Sequence, residues 1–258
     1  MQTYRNNKEK VVSKVFIDVF EKYDIMNDLM SLGIHRLWKK TFIDWLNPSK
    51  NTKLIDVASG TGDIAKLFLE KIDYRGNVCC VDENEGMLNI SKKKFAQINN
   101  MEWWCNKAEK LPFKDNEFDY YTISFGIRNV SNVNIALDEA FRVLKPGGKF
   151  LLDVLNKEWL MAHFEERFWK QGEKAKLLNE MDFDYERGRL NTKRFLIPDD
   201  GGEWTELYSS IRLYTLAEMI RMMRLVGIVF QEVYGDYTGE PYNLEKFRMI
   251  IIGEKCVN

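Results

Sequence analysis

The stretch KLIDVASGTGDIAKLFLEKI, residues 53–72, limits what this chain can become. An apolar strand runs into a loop with glycines two apart, and the loop opens directly into an amphipathic helix. The pattern then repeats without the loop signature. NVCCVD is a second strand followed by the helix EGMLNISKKKFAQI, MEWWCN is a third strand, and FDYYTISFG a fourth. NVNIALDEAFRVL is a helix closed by Lys145-Pro146-Gly147-Gly148, and KFLLDVL is a fifth strand. TLAEMIRMMRLVG forms the last helix, with IVFQEVY and FRMIIIGE as strands six and seven. Strands separated by helical crossovers predict an α/β fold, a Rossmann-like, seven-stranded, mostly parallel sheet with helices on both faces.

Two segments lie outside the alternation. Residues 1–48 contain VVSKVFIDVFEKYDIMNDLM and HRLWKKTFIDWL, two amphipathic helices that read as an N-terminal cap. Residues 156–213 separate the fifth strand from the last helix. They begin as an aromatic helix carrying Trp159, Phe164, Phe168 and Trp169. They continue as antiparallel strands around turns at Arg187-Gly188 and Asp200-Gly201-Gly202. An insertion at the carboxyl side of a parallel sheet covers the ligand crevice there; extra packing or a dimer contact is the alternative. The chain divides as one domain: cap 1–48, cofactor-binding half 49–155, lid insert 156–213, and last helix with strands six and seven, 214–258.

At 258 residues, 45% hydrophobic and with a formal net charge of −1, the chain can bury a substantial core and has no basic excess for general nucleic-acid binding. No apolar run reaches the roughly 18 residues of a membrane span, and MQTYRNNKEK does not read as a signal peptide. Cys79, Cys80, Cys105 and Cys256 fit no zinc spacing, and the first three sit in strand-like runs. Buried free thiols and a cytoplasmic location are expected, with no metal site.

The glycine loop satisfies G-x-G-x-x-[GA] through Gly60, Gly62 and Ala65, and Asp82 ends the next strand, as in a nicotinamide-binding unit. Electrostatics argue the other way. Asp56 and Asp63 bracket the loop, and two carboxylates beside a pyrophosphate on a helix N-terminus repel it. S-adenosylmethionine offers an ammonium, a sulfonium and a ribose diol, but no phosphate. Asp56 then orders the loop and faces the amino-acid end, Gly60 and Gly62 admit the cofactor to the backbone, and Asp82 accepts the ribose hydroxyls.

The phrase DVASGTGD resembles motif I of class I methyltransferases. KYDIMNDLMSLGIHRLWKK, AEKLPFKDNEFDYYTISFGIRNV and ALDEAFRVLKPGGKF closely resemble the ubiquinone/menaquinone biosynthesis C-methyltransferases, over about residues 15 to 150. The resemblance implies methyl transfer from S-adenosylmethionine to a ring carbon of a quinol-like precursor. It places Asp56, Ala58, Ser59, Gly60, Gly62, Asp82, Glu83, Met87, Lys107, Ala108, Glu109 and Ser124 around the cofactor. Lys107 stands where the family has an Asp for the adenine amino group, so Ala108 and backbone hold the adenine. It also lets Tyr23 and Asp24 close the site from the cap. From about Phe150 to Asp153 onward the chain leaves the family pattern and reads like generic small-molecule methyltransferases.

Methyl transfer is an in-line displacement, so the protein positions the acceptor and helps deprotonate it. Arg128, in FGIRN, is placed to stabilise a developing oxyanion, and Asn129 to hold a water or the acceptor oxygen. Phe164, Trp169, Tyr208, Arg212 and Tyr214 are the expected acceptor wall, with Tyr208, Ser210, Arg212 and Tyr214 sharing the ligand-facing side of a strand. Ser209, Ile211 and Leu213 should pack inward. His35 reads as a surface or helix-capping residue, with a base as the alternative, and His163 as a packing residue or a substrate contact. HRLWKK with Trp38 is a solvated face or a contact with an anionic membrane surface. The partners expected are a small-molecule acceptor and a second copy of the chain, with no nucleic acid. An N- or O-methyltransferase, an NAD-dependent oxidoreductase and a non-catalytic cofactor-binding scaffold remain as alternatives.

Overall fold

The computed structural model describes residues 35–172 and 175–257, with side chains described from Lys40 onward. Tyr23, Asp24 and most of the expected N-terminal cap lie outside the described residues. The chain enters through helix α1 (His35–Leu46). It then alternates β1 (Thr52–Val57), α2 (Asp63–Lys71), β2 (Gly76–Asp82), α3 (Glu85–Lys94), β3 (Met101–Cys105) and β4 (Phe118–Ser124). Helix α4 (Val133–Val143) leads to β5 (Leu144–Leu155), and α6 (Leu216–Val226), after the insert, leads to β10 (Ile228–Tyr234) and β11 (Arg248–Lys255). These seven strands form one sheet in the order β10-β11-β5-β4-β1-β2-β3. β11 pairs antiparallel with both β10 and β5, and the remaining pairs are parallel. The order reverses between β1 and β4, so a crevice opens at their carboxyl ends.

Side-chain alternation along each strand divides the core in two. Ile55, Val57, Cys79, Val81, Tyr121, Ile123, Phe150 and Leu152 pack with Ala136, Leu137 and Ala140 of α4 and Met219 and Met223 of α6. Leu54, Val78, Cys80, Tyr120, Leu151 and Ile250 pack with Phe42, Ile43 and Leu46 of α1 and Phe68 and Leu69 of α2 on the opposite face. Near-continuous apolar strands such as NVCCVD are the sequence trace of this two-sided burial. The cysteines are all free; burial pushes the Cys79 thiol up to about 12. Cys105 departs from its expected burial because it ends the edge strand β3 and is exposed.

The insert forms a separate four-stranded antiparallel sheet in the order β6-β7-β8-β9. Its strands are β6 (Arg167–Gln171), β7 (Ala175–Asp184), β8 (Arg189–Pro198) and β9 (Thr205–Arg212), turning where the sequence places Arg187-Gly188 and Asp200-Gly201-Gly202. The aromatic helix is shorter than the sequence suggests. Helix α5 covers only Lys157–Ala162, capped by the Asn156 side chain accepting from the Trp159 N–H at 3.2 Å. Phe168 and Trp169 belong to β6, where pairing with Asn179 and Leu178 outcompetes helical periodicity. Leu155, Leu160, Phe183, Leu190 and Leu213 join this sheet to α5 and the end of β5 in a third apolar cluster.

Candidate functional site

A cavity of about 620 Å³ opens where the chain order reverses, at the carboxyl ends of β1, β2 and β4. Its floor is the glycine loop. Gly60 and Gly62 adopt left-handed backbone, with φ of 53° and 79°. At Gly62 a Cβ would approach Ser91 Oγ to 2.4 Å, so glycine is needed both for the backbone and for α3 to pack close. Asp82 is the hinge of the site. One carboxylate oxygen accepts from the Gly60 N–H at 2.9 Å and the other from the Asn84 N–H at 2.8 Å. Burial pushes its carboxyl above the ordinary range, against those two backbone donors. Each oxygen keeps a lone pair for a further donor.

Of the residues the sequence singled out, Ala58, Gly60, Asp82, Glu83, Met87, Lys107, Ala108, Glu109, Ser124, Arg128 and Asn129 line this one cavity. Sequence reading missed Asn84, which caps α3 by accepting from the Met87 N–H at 3.1 Å, and Phe125 and Gly126. A polar residue ahead of an apolar helical run was the signal for Asn84.

Asp56, Ser59 and Gly62, also expected around the cofactor, are not among the residues lining this cavity. Asp56 is buried in the sheet and accepts from Thr122 Oγ1 at 2.7 Å, while the Ser59 N–H donates to the Val81 carbonyl at 3.1 Å. Asp63, at the start of α2, pairs with Lys94 at the end of α3 at 2.6 Å. The carboxylates that bracket the loop in sequence are therefore engaged elsewhere. The carboxylates that line the cavity are Asp82, Glu83 and Glu109 instead, beside the cations Lys107 and Arg128.

The opposite wall is the segment after β4. The Ser124 hydroxyl donates to Asp153 Oδ2 at 3.0 Å. Asp153 is fully buried and also accepts from the Tyr237 hydroxyl and from the Arg248 guanidinium, whose Nε lies at 2.8 Å. The Arg248 guanidinium stacks 3.9 Å from the centroid of Phe125, a residue held at φ 60°. A Cβ on Gly126 would reach Ala58 Cβ at 2.3 Å, so the Gly126 backbone packs directly on the Ala58 methyl. Arg128, half-buried, and Asn129 follow in a single 3-10 turn, Ile127–Asn129. Glu109 clamps the next residues by accepting from the Ser131 and Asn132 N–H groups at 2.8 and 3.1 Å.

None of the expected acceptor-wall residues, Phe164, Trp169, Tyr208, Arg212 and Tyr214, lines this cavity. Trp169 and Tyr208 are each 64% exposed on the outer face of the antiparallel sheet. Phe164 packs against α5, and Tyr214 is buried in the main core. Arg212 pairs with Glu218 at the start of α6 and lies over the Tyr214 ring. The inward set behaves as expected, with Leu213 and Ile211 in the cluster beside α5. The insert still flanks the site, because β9 runs beside the Ile127–Asn129 turn. His163 stacks on Trp159 with ring centroids 4.8 Å apart, a packing role. Among the described residues no three His, Cys, Asp or Glu side chains converge to hold a metal ion, and no helix is long and apolar enough to cross a membrane.

This architecture is that of solved methyltransferases. A crystal structure of an S-adenosylmethionine-dependent methyltransferase from Clostridium acetobutylicum superposes with a TM-score of 0.76, covering 92% of this chain and 98% of that one at 16% identity. CalS10, an amino pentose methyltransferase from Micromonospora echinaspora solved with S-adenosylmethionine bound, gives 0.60 over 83% of this chain and 86% of its own at 15% identity. Likeness at such identity speaks to the fold.

The family follows from sequence. A model of the ubiE/COQ5 methyltransferase family matches residues 3–170, and the chain belongs to that family. The ubiquinone/menaquinone biosynthesis C-methyltransferase UbiE of Rickettsia typhi is 53% identical over 150 residues, which are 56% of this chain and 60% of that protein. UbiE of Roseobacter denitrificans is 51% identical over 144 residues, 55% of this chain and 57% of its own length. The chain thus spans about 60% of the length of such relatives.

Proposed function

We propose that the chain is an S-adenosylmethionine-dependent methyltransferase that methylates a ring carbon of a quinol- or phenol-type precursor of ubiquinone or menaquinone. The observation that carries this reading is the family match over residues 3–170, which contains the glycine loop, Asp82 and the FGIRN turn that surround one cavity. The donor set suits the cofactor. Asp82 keeps acceptor capacity for two vicinal hydroxyls, and Glu83 and Glu109 favour a cationic ligand over a pyrophosphate. Met87 and Ala108 supply apolar walls for a base. When bound, S-adenosylmethionine supplies a methyl group already activated by a sulfonium.

The residues of the chain do the rest. Arg128 stabilises the oxyanion that forms as the acceptor hydroxyl loses its proton, and Asn129 orients the acceptor oxygen or a water beside it. The Phe125 ring, 5.5 Å from the Arg128 guanidinium, steadies its plane. Tyr23 belongs to the same proposal as a residue of the cap that closes over the acceptor. Residues 156–213, lying beside the Ile127–Asn129 turn, shape the acceptor side and act as a lid.

A second reading, N- or O-methylation of another small molecule, is favoured by one observation. The family match ends at residue 170, so most of the antiparallel sheet beside the site lies outside it. The protein is read as cytoplasmic, with a homodimer and a peripheral membrane contact through HRLWKK as further proposals. Calorimetry separates the cofactors: adenosylhomocysteine should bind in the micromolar range and NADH should not. Methyl-transfer assays over quinols, phenols, amines and carboxylates then test the acceptor, and turnover of amines with no quinol turnover would establish the second reading.

A further inference from the structure

The inner face of the antiparallel sheet carries a charge that no carboxylate among the described residues neutralises. Strand register aligns Phe168 of β6, Asn179 of β7, Arg194 of β8 and Leu207 of β9 in one row, all on one face. That face is the one whose lower rows, Phe183, Leu190 and Ile211, pack on α5. Asn179 is 4% exposed, and its amide nitrogen has no hydrogen-bond partner. The neighbouring Arg194 is half-buried, and its one hydrogen bond among the described residues goes to Ser209 Oγ at 3.3 Å. Burial alone pulls its guanidinium below the ordinary value, and among the described residues no carboxylate acts on it. The rows on either side contribute Leu177 with Leu196, and Met181 with Thr192.

A buried amide donor without an acceptor, beside a half-buried guanidinium held only by one neutral hydroxyl, is costly in a folded protein. Polar groups out of water are almost always paired, and a lone buried charge more so. The arrangement lacks one thing, an anionic oxygen group. We infer that Asn179 and Arg194 form the polar end of a ligand site on this face, taking a carboxylate or phosphate carried on an apolar body. Arg194 supplies the charge and a planar fork of donors, the Asn179 amide adds one more, and Phe168, Leu177, Leu196 and Leu207 surround the apolar part. The site is distinct from the Asp82 cavity, none of whose lining residues it shares, and it does not rest on the reading of that cavity.

The test is calorimetry on the full chain with benzoate, phenyl phosphate and the neutral benzyl alcohol, repeated for Arg194→Met and Asn179→Leu. One of the two anions should bind about 10-fold or more tighter than benzyl alcohol, and which one it is identifies the group recognised. Arg194→Met should remove that preference, and Asn179→Leu should weaken the anion by a smaller factor. Melting temperature gives the second readout. Since, among the described residues, the Asn179 amide nitrogen has no partner and Arg194 has only its 3.3 Å bond to the Ser209 hydroxyl, both variants should melt no lower than the parent. Equal binding of anion and alcohol by the parent, an unchanged anion affinity in Arg194→Met, or a melting point several degrees lower in that variant would each overturn the proposal.

Discussion

Asp82 does two jobs at the scale of a single residue. It ties the glycine loop to the end of β2 through two backbone donors, and it presents the remaining lone pairs to the cavity. Asp82→Ala should therefore weaken adenosylhomocysteine binding by about 10- to 100-fold, the worth of about 1.5–3 kcal/mol for a hydrogen bond to a charged group. Asp63→Ala, which removes only a partly exposed ion pair with Lys94, should change affinity by less than about 3-fold. Calorimetry on both variants checks the contrast. The pH dependence has a definite sign. Because burial holds the Asp82 carboxyl above the 3.8 of an ordinary aspartate, it takes up its proton earlier on acidification. The carboxylate is the better acceptor, so affinity should be full above the raised pKa and fall as pH drops through it. For folding the sign reverses: the raised value favours the folded chain below pH 3.8, and that advantage is lost as pH rises through the folded-state pKa. A pH titration of affinity in the parent and in Asp82→Asn, which cannot protonate, tests the assignment.

At the scale of the element, each wall of the cavity depends on a close approach elsewhere. Helix α3 can lie against the glycine loop only because Gly62 has no side chain. Gly62→Ala strains a left-handed position and drives a methyl into Ser91 Oγ, so it should cost more than about 1 kcal/mol and displace the loop. Denaturant melts, together with loss of adenosylhomocysteine binding, would report both effects. The other wall hangs on Asp153. Asp153→Ala leaves the Arg248 guanidinium buried without its carboxylate, and about 3–5 kcal/mol should be lost. The double variant Asp153→Leu with Arg248→Met should recover a large part of that loss, since the pair is coupled. If the two single variants instead add, Asp153 and Arg248 do not act as a unit.

At the scale of the whole molecule, two sheets share one chain and meet at a small apolar seam. The seven-stranded sheet is buried on both faces, whereas the antiparallel sheet is fixed mainly by Leu155, Leu160, Phe183, Leu190 and Leu213. Leu213→Ala should cost about 2–5 kcal/mol. The loss should fall unevenly, with amide exchange in β6–β9 rising while β1, β2 and β4 stay protected. Uniform loss of protection across both sheets would mean that they unfold as one unit.

The sequence by itself determined the seven strands and their crossovers, the glycine loop, Asp82 and the FGIRN turn. These are local signals: apolar runs, a period of 3.6, glycines where φ must be positive. Most of the cavity lining was legible for the same reason, since β-strand ends and the loops after them are contiguous in sequence. Tertiary structure alone decided what stands opposite each side chain. The sequence could bracket the loop with Asp56 and Asp63 but not reveal that Thr122 and Lys94 meet them. It could set Tyr208, Arg212 and Tyr214 on one side of a strand, but not that Tyr208 faces outward while the chain turns after Arg212 and buries Tyr214. Phe168 and Trp169 read as helix until strand pairing with Asn179 and Leu178 claimed them. The Asp153–Arg248 pair joins residues 95 positions apart, and the Asn179–Arg194 row exists only through register. Periodicity encodes which side of an element is apolar; the partner across the gap is set by packing between segments distant in sequence, and no local pattern carries it.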